Sequence, residues 1–119
     1  MERDPEPQLH DRILILRQPW LRLILAGEKT LEVRGRPFAS GMYWLGQTSN
    51  IYGVVRLGTD IRIETAEASN ECDGEHLVDL PMPPYEKTYV LPILNARPTR
   101  LFRFVHPQGA IGVVKYRPR

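Results

Sequence analysis

Lys29, Glu32 and Arg34 lie close together in the stretch GEKTLEVR. A lysine partly withdrawn from water beside a carboxylate can hold a phosphate or carbonyl oxygen, or exchange protons when its pKa is displaced. Just upstream, Arg17, Gln18 and Trp20 bring together a cation for phosphate, an amide for a base edge and an indole for stacking. Tyr43, Trp44 and Tyr52 are further candidates for a base pocket, although adjacent strand residues point to opposite faces, so at most one of Tyr43 and Trp44 lines it. Metal chemistry has little support. His10, His76 and His106 are far apart, and Cys72 and His76 lack further ligands at a suitable spacing. Neither a Ser-His-Asp order, a phosphate loop nor a dinucleotide fingerprint is present.

The elements that must position these residues follow from the local pattern. Pro19 suits a first helical turn, and Trp20, Leu21, Leu23, Ile24 and Leu25 form an apolar surface, so a short helix is predicted over Pro19 to Ala26, ended by Gly27. Thr30 to Arg34 alternates with period two, placing Leu31 and Val33 on a core face and Thr30, Glu32 and Arg34 on the other. Strict alternation sets Lys29 opposite Glu32. The two meet only if Lys29 sits in the turn itself. Spacing alone favours a plainer arrangement, in which Glu32 and Arg34 are a surface ion pair and Lys29 is solvated. For Trp20, core packing explains the position as well as stacking does.

Around this stretch, residues 1–11 read as a flexible arm, 12–117 as a single domain and 118–119 as the end of a basic tail. Ile13 to Leu16 is a continuous apolar run, as in a strand buried on both faces. Met42 to Leu45 reads as a short strand ended by Gly46, Gln47 to Asn50 as a turn, and Tyr52 to Ile63 as one long strand bent at Gly58. Glu64 to Glu75 is compatible with a short surface helix, and Leu80 to Tyr85 with a proline-rich loop. Strands are predicted over Lys87 to Val90 and Arg100 to Val105, on either side of a turn at Asn95 to Pro98, and over Ile111 to Tyr116. This order describes an α+β, mainly β, domain around a strongly bent sheet or barrel.

Composition narrows the function classes. No apolar run reaches the roughly 20 residues of a membrane span, and MERDPEPQLHDR is unlike a signal peptide, so a cytoplasmic or nuclear protein is expected. A single cysteine excludes an internal disulfide. The net charge of +2 is small but unevenly spread. Residues 60–86 carry eight acidic side chains against the single basic Arg62, whereas residues 87–119 carry seven basic side chains and no acidic one. Arg97, Arg100, Arg103, Lys115, Arg117 and Arg119 therefore form either a phosphate-binding surface or a solvated face.

Gly27, Lys29, Glu32 and Arg34 match the GxKxxExR signature of ASCH (activating signal cointegrator-1 homology) domains, and Gln18-Pro19-Trp20 is similar to the QPW or QPY that precedes it in that family. The C-terminal TYVLPILNARPTRLFRFVHPQGAIGVVKY also resembles the family's ending, except that Val113 and Val114 stand where many relatives have a tryptophan. The resemblance implies a PUA-like β pseudobarrel flanked by one or two short helices. It implies a nucleic-acid module for RNA, single-stranded nucleic acid or a modified nucleotide, binding through Arg17, Gln18, Trp20, Lys29, Glu32, Arg34 and Tyr43, with Arg97 and Lys115 on the basic surface. No cofactor is expected.

The same resemblance leaves an enzyme open, either a ribonuclease or a nucleoside amidohydrolase. One bacterial branch removes the acetyl group from acetylated cytidine with a presumed threonine nucleophile, at the place held here by Glu32. In this chain Glu32 would instead serve as general base and Lys29 as oxyanion partner. A third reading, a protein-interaction module in a transcription or RNA-processing complex, rests on the family name and the acidic 60–86 region.

Overall fold

The computed structural model describes residues 5–63, 88–110 and 112–119. Its elements are β1 (Arg12–Ile15), α1 (Trp20–Leu25), β2 (Leu31–Arg34), β3 (Gly41–Gln47), β4 (Asn50–Leu57), β5 (Ile61–Ile63), β6 (Thr88–Arg103) and β7 (Val113–Lys115). The predicted surface helix within 64–75 and the proline-rich loop at 80–85 lie outside the described residues. The strands form one curled sheet in the order β2-β6-β4-β3-β1-β7, with β5 also paired to β6. The β1–β3 pair is parallel and the other pairs are antiparallel. The architecture is a mainly β pseudobarrel with one short helix among the described residues.

Both faces of the sheet are covered, and side-chain alternation divides the core in two. On one face, Leu14, Tyr43, Leu45, Val55, Leu57 and Leu91 pack with Leu21 and Ile24 of α1. On the other, Ile13, Trp44, Ile51, Val54, Phe104 and Val114 form a second cluster. Ile13 and Leu14 are each fully buried, as the unbroken apolar run of β1 requires. Tyr43 and Trp44 fall on opposite faces. The segment before β1 is tied to the second face: the Asp11 carboxylate accepts hydrogen bonds from Trp44 Nε1 (3.1 Å) and from the Gln8 backbone N–H (2.8 Å), and His10 N–H donates to the Tyr116 carbonyl (2.9 Å).

Three predicted elements change. The strand expected over Tyr52 to Ile63 is two strands, β4 and β5, broken over residues 58–60. The turn expected at Asn95 to Pro98 does not form. These residues continue β6, a single 16-residue strand, because β4 presents a matching partner along its length. The two prolines within β6 sit where a ladder tolerates a missing N–H. Pro98 lies opposite Gly53 beside a register shift, and Pro92 pairs with Leu31 at the start of the short strand β2. Finally, α1 is shorter than predicted: Pro19 precedes it as the N-cap after a cis Gln18–Pro19 bond, and Ala26 is its C-cap.

Gly53 is the point where α1 approaches the sheet. A Cβ there would stand 2.5 Å from Leu25 Cδ2 and 2.6 Å from the Arg97 carbonyl oxygen, and the second contact is backbone that cannot rotate away. Gly53→Ala is therefore expected to destabilise the fold by about 1–3 kcal/mol through overpacking. A urea midpoint unchanged from wild type would show that α1 does not pack this closely.

Candidate functional site

The first step in building the site is the end of α1. Gly27 takes the left-handed conformation (φ +77°) that terminates the helix. The N–H groups of Glu28 and Lys29 then both donate to the Leu23 carbonyl, at 2.9 and 3.1 Å. Lys29 thus belongs to the turn, before β2 begins at Leu31. Its side chain folds inward and is 2% exposed, with Nζ donating to the Leu31 carbonyl.

The second step is the register of β2. Glu32 stands directly opposite Leu91 of β6, and directly opposed residues share a face. Leu91 belongs to the helix-covered core, so Glu32 faces inward too and is 6% exposed. This corrects the predicted orientation: the charged side of β2 turns towards α1, while Leu31 and Val33 lie on the opposite face. Alternation fixes which residues go together, but tertiary pairing alone fixes which set faces the helix.

Arg34, on the same side as Glu32, sits at the seam where the curled sheet nearly meets itself. Its Nη2 donates to the Ile15 carbonyl at the end of β1 (3.3 Å), and its Nε lies 3.4 Å from Glu32 Oε1. The latter is an ion pair without hydrogen-bond geometry, and Arg34 Nε and Glu32 Oε2 are both buried without a hydrogen-bond partner among the described residues. An aromatic ring covers each cation. Lys29 Nζ is 5.7 Å from the Trp20 ring centroid and Arg34 Cζ is 5.6 Å from that of Phe38.

Burial pushes the Lys29 pKa below its ordinary value, opposed by the Glu32 carboxylate and reinforced by the Arg34 guanidinium.

No protein-family model and no curated protein matches the chain. Solved structures do. The ASCH protein of Zymomonas mobilis superposes with a TM-score of 0.70 at 17% identity, over 91% of this chain and 88% of that one. Two point mutants of the same protein give TM-scores of 0.70 and 0.69, also at 17% identity, covering 94% and 91% of this chain and 92% and 91% of theirs. The chain has the ASCH fold.

Within the ASCH fold the other predicted residues separate. Arg17 and Gln18 are exposed at the junction of β1 and α1. Gln18 Oε1 accepts the Arg22 N–H (3.2 Å), so this amide caps the helix. Tyr43 is a core residue, 2% exposed, whose hydroxyl donates to the Ala39 carbonyl (2.7 Å) and accepts from Arg12 (3.2 Å). Arg97 pairs with Val54 on the face away from Glu32. Lys115 pairs with Arg12, at the opposite end of β1 from Ile15. Of the basic C-terminal residues, Arg100 pairs with Glu6 (2.7 Å) and lies over the Phe102 ring. The structure therefore brings together Lys29, Glu32, Arg34 and Trp20.

Sequence reasoning missed Phe38, whose only signal was a lone aromatic in the turn-rich GRPFASG. It also missed a cleft of about 450 Å³ at the end of β1, lined by Arg17, Thr48, Ser49, His106 and Gln108 among others. Its residues come from three separate segments. No helix among the described residues is long and apolar enough to cross a membrane.

The direction of the Lys29 shift sets a pH dependence. Its folded-state pKa lies below the ordinary 10.5, so between the two values the unfolded chain binds more protons and stability rises with pH. Below that window Lys29 opposes folding, and above it the opposition is relieved. Wild type should therefore gain stability relative to Lys29→Met as pH climbs towards 10.5. A difference between the two denaturation curves that stays flat from neutral pH upwards would contradict the buried, charge-disfavoured lysine.

Proposed function

We propose that this protein is a nucleic-acid binding module that takes an unstacked base of RNA or another single strand, including a modified nucleotide, into the group around Lys29, Glu32 and Arg34. The observation that carries this reading is two buried polar atoms without a hydrogen-bond partner among the described residues, the acceptor Glu32 Oε2 and the donor Arg34 Nε, on side chains joined by an ion pair at 3.4 Å. A buried polar atom without a partner costs about 1–3 kcal/mol, and more when charged, so a ligand that satisfies both is favoured. A donor next to an acceptor is what the Watson–Crick edge of a nucleobase offers, and unpaired strands leave that edge free.

Trp20 and Phe38, both half-buried, provide stacking surfaces on either side. Each now rests on a cation, so an entering base displaces at least one of these rings. Lys29, held inward by the turn after Gly27, supplies positive charge for a carbonyl oxygen of the base. The ASCH fold supports the reading, since nucleic-acid binding is typical of this fold.

Filter binding of single-stranded RNA across a salt series tests it, and salt-independent or undetectable binding at micromolar protein would refute it. Glu32→Gln, which keeps the volume but weakens the acceptor, should reduce affinity about tenfold. Binding should also change the fluorescence of the half-exposed Trp20 and not that of Trp44, so the change should vanish in Trp20→Phe.

One observation favours a second reading, a small metal-independent hydrolase acting on RNA or on an acylated nucleoside. Lys29 is buried beside a carboxylate and its pKa is lowered. In amide hydrolysis Glu32 would take a proton from water as the water oxygen attacks the carbonyl carbon. Lys29 would steady the oxyanion, and the proton would pass to the departing amine. Incubation with N4-acetylcytidine and with single-stranded RNA separates the two readings: turnover abolished in Lys29→Ala establishes the enzyme, and binding without turnover leaves the module.

A further inference from the structure

We propose that the cleft at the end of β1 is a phosphate subsite, so that the ligand is a nucleotide or a strand and not a free nucleoside. The proposal rests on the base-binding reading above and adds to it the residues that would hold the backbone beside that base.

The cleft is built by three parts of the chain that meet at one rim of the pseudobarrel. The end of β1 gives Ile15, Leu16 and Arg17, the β3–β4 hairpin gives Gln47, Thr48 and Ser49, and the segment after β6 gives residues 106–110. Among the described residues its polar groups are a guanidinium, two hydroxyls, two amides and an imidazole, and no acidic side chain of those residues lines it. That donor-rich set, with one fixed positive charge, suits an anionic oxygen; a neutral or cationic ligand would leave the charge unanswered.

The walls are ordered by their own contacts. The His106 ring is stacked on Phe104 at 5.6 Å, with Nε2 2.9 Å from the Ala110 carbonyl. The hairpin is anchored by the Phe104 N–H donating to the Ser49 carbonyl (3.0 Å). Arg17 is exposed at the mouth, where its side chain can swing onto a ligand.

Position connects this cleft to the base site. Ile15 lines it, and the carbonyl of the same residue accepts the hydrogen bond from Arg34. The Glu32–Arg34 group and the cleft therefore meet at the β1 terminus, through Ile15. A base seated against Glu32 and Arg34 directs its sugar towards the rim, and the adjoining phosphate meets Arg17. Phosphate contacts would fix the register of the strand while the base edge supplies the recognition.

Titrations with adenosine, cytidine, guanosine and uridine, with their 5′- and 3′-monophosphates, and with a short single-stranded RNA test the proposal. Wild type should bind at least one monophosphate about tenfold more tightly than its nucleoside. Arg17→Ala should remove that advantage, leave nucleoside affinity unchanged and lower the salt slope for RNA by about one. His106→Gln, which keeps a polar planar group, should reduce the advantage in part. An advantage that survives Arg17→Ala, or an equal loss for nucleoside and nucleotide, overturns the subsite. If a nucleoside binds in a Glu32-dependent way but phosphate adds nothing, the subsite alone fails. If neither nucleosides nor monophosphates bind, the base-site reading fails with it. Preference for one monophosphate isomer would tell which side of the base the cleft serves, and RNA binding without monophosphate binding would overturn the single-phosphate geometry.

Discussion

The seam between β2 and the end of β1 is held by a side chain where a closed barrel would have a ladder. Among the described residues β2 is an edge of the sheet and pairs only with β6, while β1 lies near the other edge beside β7. Arg34 spans the remaining gap by donating to the Ile15 carbonyl, and Ile15 N–H in turn donates to the Gly112 carbonyl (2.8 Å). Closure of this kind leaves space between the strands, which α1 and the charged side chains of the site fill. The candidate site lies where, among the described residues, the pseudobarrel does not close by backbone hydrogen bonds.

That arrangement places charge inside. Removing a lysine, a glutamate and an arginine from water is expensive, and mutual attraction offsets it only with good geometry and satisfied hydrogen bonds. Here the geometry is incomplete: the Arg34–Glu32 contact is an ion pair at 3.4 Å, and one atom of each residue has no hydrogen-bond partner. Apolar residues of similar volume would pack the same space at no electrostatic cost. An unsaturated polar cluster against the core is therefore a poor source of stability, which is what the proposed ligand-binding role builds on.

The rest of the sheet is conventional and rigid by comparison. Two apolar clusters, one under α1 and one on the reverse, bury adjacent residues of β1 and β3 on opposite faces. Trp44 and Phe102 meet edge to face at 5.8 Å on the reverse side, and Arg12 lies 4.1 Å over the Tyr43 ring on the helix side. Tyr43 and Trp44 are both buried in these cores and the half-buried Tyr52 packs against the first of them, so beside Lys29 and Arg34 the aromatic surface comes from the half-buried Trp20 and Phe38. The two packed clusters on either face of β1 hold the rim that carries the proposed base site and the neighbouring cleft.

What could be read from residues alone was local. Gly27 as a helix stop, the turn between Gln47 and Asn50, the two-sided burial of β1 and the opposed faces of Tyr43 and Trp44 follow from backbone preference and period-two alternation, which neighbouring residues settle among themselves. Spacing alone did not mark Lys29, Glu32 and Arg34 as a group; the resemblance to the GxKxxExR signature did. Only the tertiary structure decided that the charged face of β2 turns inward, because the choice depends on Glu32 standing opposite Leu91, 59 positions further along the sequence. It also decided that Asn95 to Pro98 extends a strand, since a partner as long as β4 overrides local turn chemistry, and that Arg17 shares a cleft with His106. Strand pairing is a long-range choice, set by register and burial between distant segments, and periodicity within one segment carries no information about its partner.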